Sequence, residues 1–142
     1  MKKVLLFIVL VGFFVNAQAQ KLKLSDVPVT VTKSFNTSYP TIQDAEWTKD
    51  GNNYNAGFEE NKLSRSVTYA ATGVLVGTSE EITVSEVPVS ALEYIKKSYE
   101  GSKFHSVSRI NNADGTVTYK AEMDRKDLFF TSEGNFLKSV DN

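Results

Sequence analysis

Sixty positions apart the chain writes one phrase twice: "VPVTVTKSFNTSYP" (27–40) returns as "VPVSALEYIKKSYE" (87–100). Val27-Pro28-Val29 aligns with Val87-Pro88-Val89, Phe35 with Ile95, and Ser38-Tyr39 with Ser98-Tyr99. Further on, "VTYAATGVLVGT" (67–78) matches "LFFTSEGNFLKS" (128–139), setting Val67 against Leu128, Tyr69 against Phe130, Gly73 against Gly134 and Leu75 against Phe136. Between these blocks Tyr54 and Phe58 match Tyr119 and Met123, after a small insertion near "NNADG". The matches never cross. The chain is therefore read as a tandem duplication, and both copies must take one fold.

The second copy settles the local structure of the first. Ala91, Leu92, Ile95 and Tyr99 form one stripe at helical spacing, among good helix formers. Proline suits a first turn, where its missing N–H costs nothing, with Ser85 or Glu86 as cap. The first copy keeps the stripe as Val31, Phe35 and Tyr39. Its Val and Thr content costs a few tenths of a kcal/mol per residue, about, against roughly 1.5–3 kcal/mol for burying a Phe. Both segments are expected to be helices. Period-two tracts follow: Tyr54, Ala56, Phe58; then Leu63, Val67, Tyr69; then Val117, Tyr119, Ala121, Met123. Polar alternation marks half-buried antiparallel strands. Asp50-Gly51, Glu60-Asn61, Ala71-Thr72-Gly73, Asp114-Gly115, Arg125-Lys126 and Glu133-Gly134 supply the turns. Each copy reads as a helix followed by four short strands.

The domain layout follows. Residues 1–19, "MKKVLLFIVLVGFFVNAQA", carry two lysines, an apolar run and an A-x-A step, the pattern of a cleaved signal peptide. A first repeat spans 20–78, a short polar linker 79–86 and a second repeat 87–142. The expected location is periplasmic or secreted in a Gram-negative bacterium, with no stable membrane insertion after cleavage. Cysteine is absent, so an apolar core must hold the chain without disulfides. A formal net charge of −1 offers no basic surface for a phosphate backbone, which argues against nucleic acid.

Catalytic constellations do not assemble. His105 is the only histidine, and "SKFHSVSRI" reads as a strand with it at a surface or rim. Neither "IQDAEWTKDGNN" nor "RINNADGTV" places acidic groups as a calcium loop requires. The carboxylates at Glu59-Glu60, Glu80-Glu81 and Asp124/Asp127 fit solvated turns and edges, since adjacent strand residues face opposite ways. No S-x-x-K motif, nucleophile elbow or glycine-rich phosphate loop occurs. The chain is read as no enzyme, and no cofactor or metal is expected.

Parity leaves one candidate surface, the sheet face away from the helices. It would carry Asn55, Gly57, Ser64, Ser66, Thr68, Ala70, Thr116, Thr118, Lys120 and Glu122, with Leu75, Phe129, Thr131 and Leu137 added where paired apolar residues blur the parity. Apolar residues set among Ser and Thr can mark a binding surface. The candidate contact residues are Trp47, Thr68, Leu75, Thr118, Lys120, Phe129 and Thr131, with Trp47 open to either core or surface.

The Val-Pro helix start, Trp47 in the first strand, Tyr54, Phe58 and the Y-x-x-x-G step from Tyr69 to Gly73 resemble the PepSY-like, β-lactamase-inhibitor-like exported proteins of Bacteroidetes. The second copy repeats the pattern with Val87-Pro88, Tyr99, Tyr119 and Phe130 to Gly134. The resemblance implies an α+β fold of tandem α-β-β-β-β repeats, forming one curved antiparallel sheet with two helices on one face. It further implies a non-enzymatic module that contacts or inhibits an unknown envelope or secreted protein, a peptidase or β-lactamase-like enzyme, through the open face. The chain departs from the β-lactamase inhibitor protein in lacking disulfides. The alternative is a small-ligand or envelope-sensing protein with a pocket between helices and sheet, lined by Tyr54, Tyr69 or Tyr119.

Overall fold

The computed structural model describes residues 20–142, so the expected leader lies outside the described residues. Strand β1 (Gln20–Leu22) and a single 3-10 turn (Leu24–Asp26) lead into helix α1 (Val29–Ser38). Strands β2 (Glu46–Asp50), β3 (Asn53–Glu60), β4 (Leu63–Ala70) and β5 (Leu75–Ile82) follow. The series then repeats: a 3-10 turn (Val84–Glu86), α2 (Val89–Ser98), β6 (Phe104–Asn112), β7 (Val117–Met123), β8 (Lys126–Thr131) and β9 (Phe136–Asp141). The nine strands among the described residues pair antiparallel in chain order within one sheet.

Two features differ from the sequence reading. Strand β1, three residues long, was not anticipated. Residues 79–86, expected to be a linker, carry the last turn-free stretch of β5 and then the 3-10 turn. Ser79 to Ile82 pair with Ile110 to Val107 of β6, so the two repeats share a continuous ladder. The pairing Leu22–Trp47 recurs sixty residues later as Ile82–Val107, and β1 therefore stands to β2 as the end of β5 stands to β6.

Both helices begin as the shared Val-Pro-Val phrase dictates. Pro28 and Pro88 take the cap position itself, with φ of −55° and −54° and no side-chain cap bond. Ser85 and Glu86 do not cap α2. They sit in the preceding 3-10 turn, where the Glu86 carboxylate accepts from the Thr83 N–H (3.0 Å) and hydroxyl (3.1 Å). The stripes face the sheet as read: Val31 and Phe35 are buried with Tyr39 packed beside them, and Ala91 is buried with Leu92, Ile95 and Tyr99.

The paired glycines tie each helix to its sheet. Gly73 and Gly134 hold φ of +85° and +87°, a region that L side chains avoid. A Cβ on Gly73 would also come within 2.6 Å of the Thr30 carbonyl oxygen in α1, and one on Gly134 would collide with Ser90 and Pro88. Hydroxyls reinforce this approach: Thr30 donates to the Ala71 carbonyl (2.6 Å) and Ser90 to the Glu133 carbonyl (2.7 Å).

The apolar interior is two cores and not one. Val27, Val31, Phe35, Trp47, Ala56, Phe58, Val67 and Tyr69 pack under α1. Ile82, Val87, Ala91, Val107, Ala121, Met123, Leu128 and Phe130 pack under α2. Between them, on the same helix-side face, register aligns Arg65, Glu80 and Arg109 on β4, β5 and β6. Glu80 accepts from Arg65 Nη2 (3.3 Å) and from Arg109 Nε (3.1 Å) and Nη2, and Arg65 Nη1 also donates to Glu60. The hydrogen bond to Glu60 raises the Arg65 pKa and that to Glu80 raises the Arg109 pKa. An ionic seam thus spans the ladder between the two cores.

Candidate functional site

The buried residues of each strand fix which way its neighbours point. Ala56 and Phe58, Val67 and Tyr69, Ala121 and Met123, and Leu128 and Phe130 all face the helices. The alternate residues therefore build the opposite face, and register joins them into rows. One row runs Glu46, Gly57, Ser66, Ser79, Ile110, Thr118 and Thr131. A second runs Thr48, Asn55, Thr68, Gly77 and Asn112. A third runs Glu81, Ser108, Lys120, Phe129 and Lys138.

Five of the seven candidate contact residues lie on this face: Thr68, Thr118, Lys120, Phe129 and Thr131. Four of them form a block, because Thr118 is opposite Thr131 and Lys120 opposite Phe129. Thr68 stands apart on β4, its hydroxyl donating to Asn55 Oδ1 (2.9 Å). The other two are corrections. Trp47 is 6% exposed and faces the helices, with its ring edge-on to Phe35 at 5.3 Å. Leu75 is exposed, but a β-bulge shifts the ladder so that it stands opposite Tyr69, on the helix-side face. A bulge adds one residue and reverses the parity that the sequence reading used. Its counterpart Phe136 shows the consequence, stacking on Tyr94 of α2 at 4.6 Å.

The open face differs between the repeats. In the first its paired positions are mostly small and polar. In the second it gathers Ile110, Phe129, Leu137 and Val140 with Lys120, Asp127 and Lys138. Lys138 Nζ lies 5.0 Å from the Phe129 ring centre, and Lys120 Nζ lies 3.6 Å from Asp127 Oδ2. Asn112 donates from Nδ2 to the Thr118 (3.3 Å) and Thr116 (3.0 Å) hydroxyls. A shallow hollow of about 410 Å3 opens beside Thr118, Thr131 and Leu137, with Glu133 on its lip. The Ser132 hydroxyl holds the Glu133 carboxyl below the usual carboxylate range.

Ile110 and Lys138 were missed by the sequence reading. In "SVSRINN" the isoleucine occupies the outward position and Arg109 the inward one, contrary to hydropathy. The signal was Val107: once it is buried, parity sends Arg109 in beside Glu80 and turns Ile110 out.

A larger hollow lies elsewhere, and it is not the tyrosine-lined pocket that the ligand reading expected. A groove of about 710 Å3 runs between β1, the first 3-10 turn, α1 and the loop before β2, with Leu22, Phe35, Ile42 and Trp47 among its walls. Tyr69 is buried in the first core, Tyr54 packs against that core, and Tyr119 packs against the second. His105 Nε2 lies 2.7 Å from Asp124 Oδ1, with side chains 40% and 54% exposed, which makes a surface pair. Among the described residues no group of three or more His, Cys, Asp or Glu is placed to hold a metal ion. Among them also, no helix is long and apolar enough to cross a membrane.

A tandem pair of helix-plus-four-strand units on one open sheet defines the class. The chain belongs to the family described as "Putative beta-lactamase-inhibitor-like, PepSY-like", whose model matches it twice, over residues 13–77 and 76–138. Among solved structures it is similar to a protein of Bacteroides eggerthii described as "putative periplasmic", at 18% identity over 81% of this chain and 88% of that one, with a TM-score of 0.71. A DUF2874 family protein from Bacteroides uniformis matches at 20% identity over 80% and 88%, with a TM-score of 0.68. A BLIP-like protein from Bacteroides fragilis matches at 19% over 79% and 84%, with a TM-score of 0.57. At such identities the likeness is one of fold. No curated protein matches the chain in sequence.

Proposed function

We propose that this is an exported, non-enzymatic binding module that docks another envelope or secreted protein on the second-repeat half of its open sheet face. The observation that carries the reading is the patch on β6–β9. Ile110, Phe129, Leu137 (54% exposed) and Val140 (45%) lie among Lys120, Lys138, Thr118 and Thr131, uncovered by any described element. An aromatic ring under a lysine, ringed by hydroxyls, supplies the apolar anchor and polar rim of a protein interface. The family description and the periplasmic relatives support an exported location and an inhibitory partner contact, with steric occlusion as the mechanism.

The test is a photo-crosslinking residue placed at 129 and, as a face control, at 33 on the exposed side of α1, in the protein expressed in its own envelope. Adducts from 129 and none from 33 are expected, and Phe129→Asp should abolish competition by added protein. Equal crosslinking from both positions, or none from 129, overturns the reading. Stoichiometric protein added to a class A β-lactamase or an envelope peptidase then decides whether docking inhibits. A second reading, ligand binding between helix and sheet, is favoured only by the groove beside Trp47.

A further inference from the structure

The duplication shows what the bare end of the sheet looks like when it is occupied. Strand β5 is paired on both edges: its end meets β6 as β1 meets β2, and its other edge carries β4. Arg65 stands opposite Glu80, and continuing that register places Ser64 opposite Glu81 and Leu63 opposite Ile82. The Ser64 amide donates to the Glu81 carboxylate at 3.4 Å, which fits that alignment. Strand β1 is the counterpart of this end of β5, with Leu22 in the place of Ile82. Yet among the described residues β1 is the last strand of the sheet and no strand stands where β4 would be.

The side chains tell the same story. Position 92 of the second repeat is a leucine packed on its core, whereas the first repeat has Thr32 there, on the wall of the 710 Å3 groove. Leu22, whose counterpart Ile82 falls opposite Leu63 when the β4–β5 register is extended, also lines that groove, and Trp47 walls it. An unpaired strand edge alongside a groove walled in part by apolar side chains is an arrangement that can accept an added strand: main-chain hydrogen bonds hold it and alternate side chains enter the pocket.

We propose that the outer edge of β1 and its groove receive an extended peptide, which adds antiparallel as a tenth strand and turns a leucine-sized apolar side chain past Leu22 toward Trp47. The occupant's chemistry is that of the internal template Leu63-Ser64-Arg65: an apolar residue, a small polar residue and a long polar one, in extended conformation. With only three residues of ladder, binding is weak, on the order of 100 µM. This site lies on the helix side at the opposite end of the sheet from the open-face patch, and its test is independent of that reading.

Trp47 is the only tryptophan in the chain, so its emission reports occupancy of the groove directly. The exported protein is titrated with a synthetic peptide of residues 61–69, "NKLSRSVTY", the sequence of its own β4. A saturable change in Trp47 emission is expected. The same peptide with Leu63→Asp, or with Ser64→Pro to remove the edge-facing N–H, should lose at least about tenfold in affinity. Thr32→Leu, which installs the residue that the second repeat already carries, should fold and also bind at least about tenfold more weakly. Thermal melting checks that this variant is intact. Absence of a saturable change, or equal binding by the proline peptide or by the Thr32→Leu protein, overturns the proposal. A Trp47 signal that depends on protein concentration alone, with self-association in sedimentation, also overturns it by assigning the edge to a second copy.

Discussion

The two repeats share a frame and differ in what fills it. In the first, the core is an aromatic knot: Phe35 contacts Tyr39, Trp47 and Phe58, with ring centres 5.2 to 5.7 Å apart. In the second, the counterparts of Phe35, Trp47 and Phe58 are Ile95, Val107 and Met123, and the aromatic weight has moved to Tyr94, Phe130 and Phe136 at the β8–β9 end. Among the residues that stay in place, beside packing residues such as Val27/Val87, Tyr39/Tyr99 and Tyr54/Tyr119, are those that set backbone geometry, namely the helix-starting prolines and the two left-handed glycines. Volume can be redistributed within a core provided that the total is kept, whereas a backbone at φ near +85° against a helix accepts only glycine. The frame thus limits both copies equally, and their open faces have been free to diverge into a polar half and an apolar, charged half.

The comparison breaks most sharply if the halves prove independent. Phe130 is 1% exposed in the second core, and Phe130→Ala should cost about 3–5 kcal/mol. Since β5 and β6 join the repeats in one ladder, that loss is expected to appear in the first repeat too. The denaturant midpoint read by Trp47 fluorescence should fall together with that read by far-UV circular dichroism. A Trp47 midpoint that stays put while the second repeat melts would show two separately folding units. Phe35→Ala, at 2% exposure, should give the reciprocal result.

A smaller effect tests what couples the halves. Glu80→Ala leaves the Arg65 and Arg109 guanidiniums facing one another without their shared acceptor. The Glu80 side chain is 26% exposed, so solvent screens part of the loss, and about 1–2 kcal/mol is expected. The informative readout is cooperativity. If the seam couples the cores, the Trp47 and circular dichroism transitions of Glu80→Ala should separate. Coincident transitions at a lower midpoint would assign the coupling to the backbone ladder alone.

Much of this frame was legible in the residues. The helices, eight of the nine described strands and the turn positions follow from the duplicated phrase, the period-two tracts and the Asp-Gly, Glu-Asn and Glu-Gly steps. What escaped has physical reasons. Gln20–Leu22 is too short to show any period, and it is a strand only because β2 offers an edge. "SEEI" reads as polar linker, yet Glu80 is drawn inward by two arginines that lie far off in sequence. Leu75 changed faces through a bulge that no residue announces. On the candidate face, Thr118 and Lys120 follow from alternation and Phe129 and Thr131 were added where paired apolar residues blur it, while Ile110 was hidden because its strand carries arginine on the inward side.

The smallest expected difference concerns the two 3-10 turns. In the second repeat the Thr83 N–H and hydroxyl both donate to the Glu86 carboxylate. The backbone bond and then the hydroxyl hold its pKa below the ordinary value of 4.5. In the first repeat Lys23 and Asp26 occupy these positions, and Lys23 makes no side-chain cap bond. A carboxyl whose folded pKa is depressed contributes stability that is fully present above its unfolded pKa and is lost as pH falls through the folded one. Acidification below about pH 4.5 should therefore loosen the turn at 83–86 before the turn at 23–26. Amide exchange at Thr83 should rise on acidification relative to Lys23, after correction for the intrinsic pH dependence of exchange, and Glu86→Gln should remove most of that pH response. Parallel behaviour of the two amides would mean that the turn is held by its backbone bonds, Glu86 N–H to Thr83 (3.0 Å) and Val87 N–H to Val84 (3.1 Å), without help from the carboxylate.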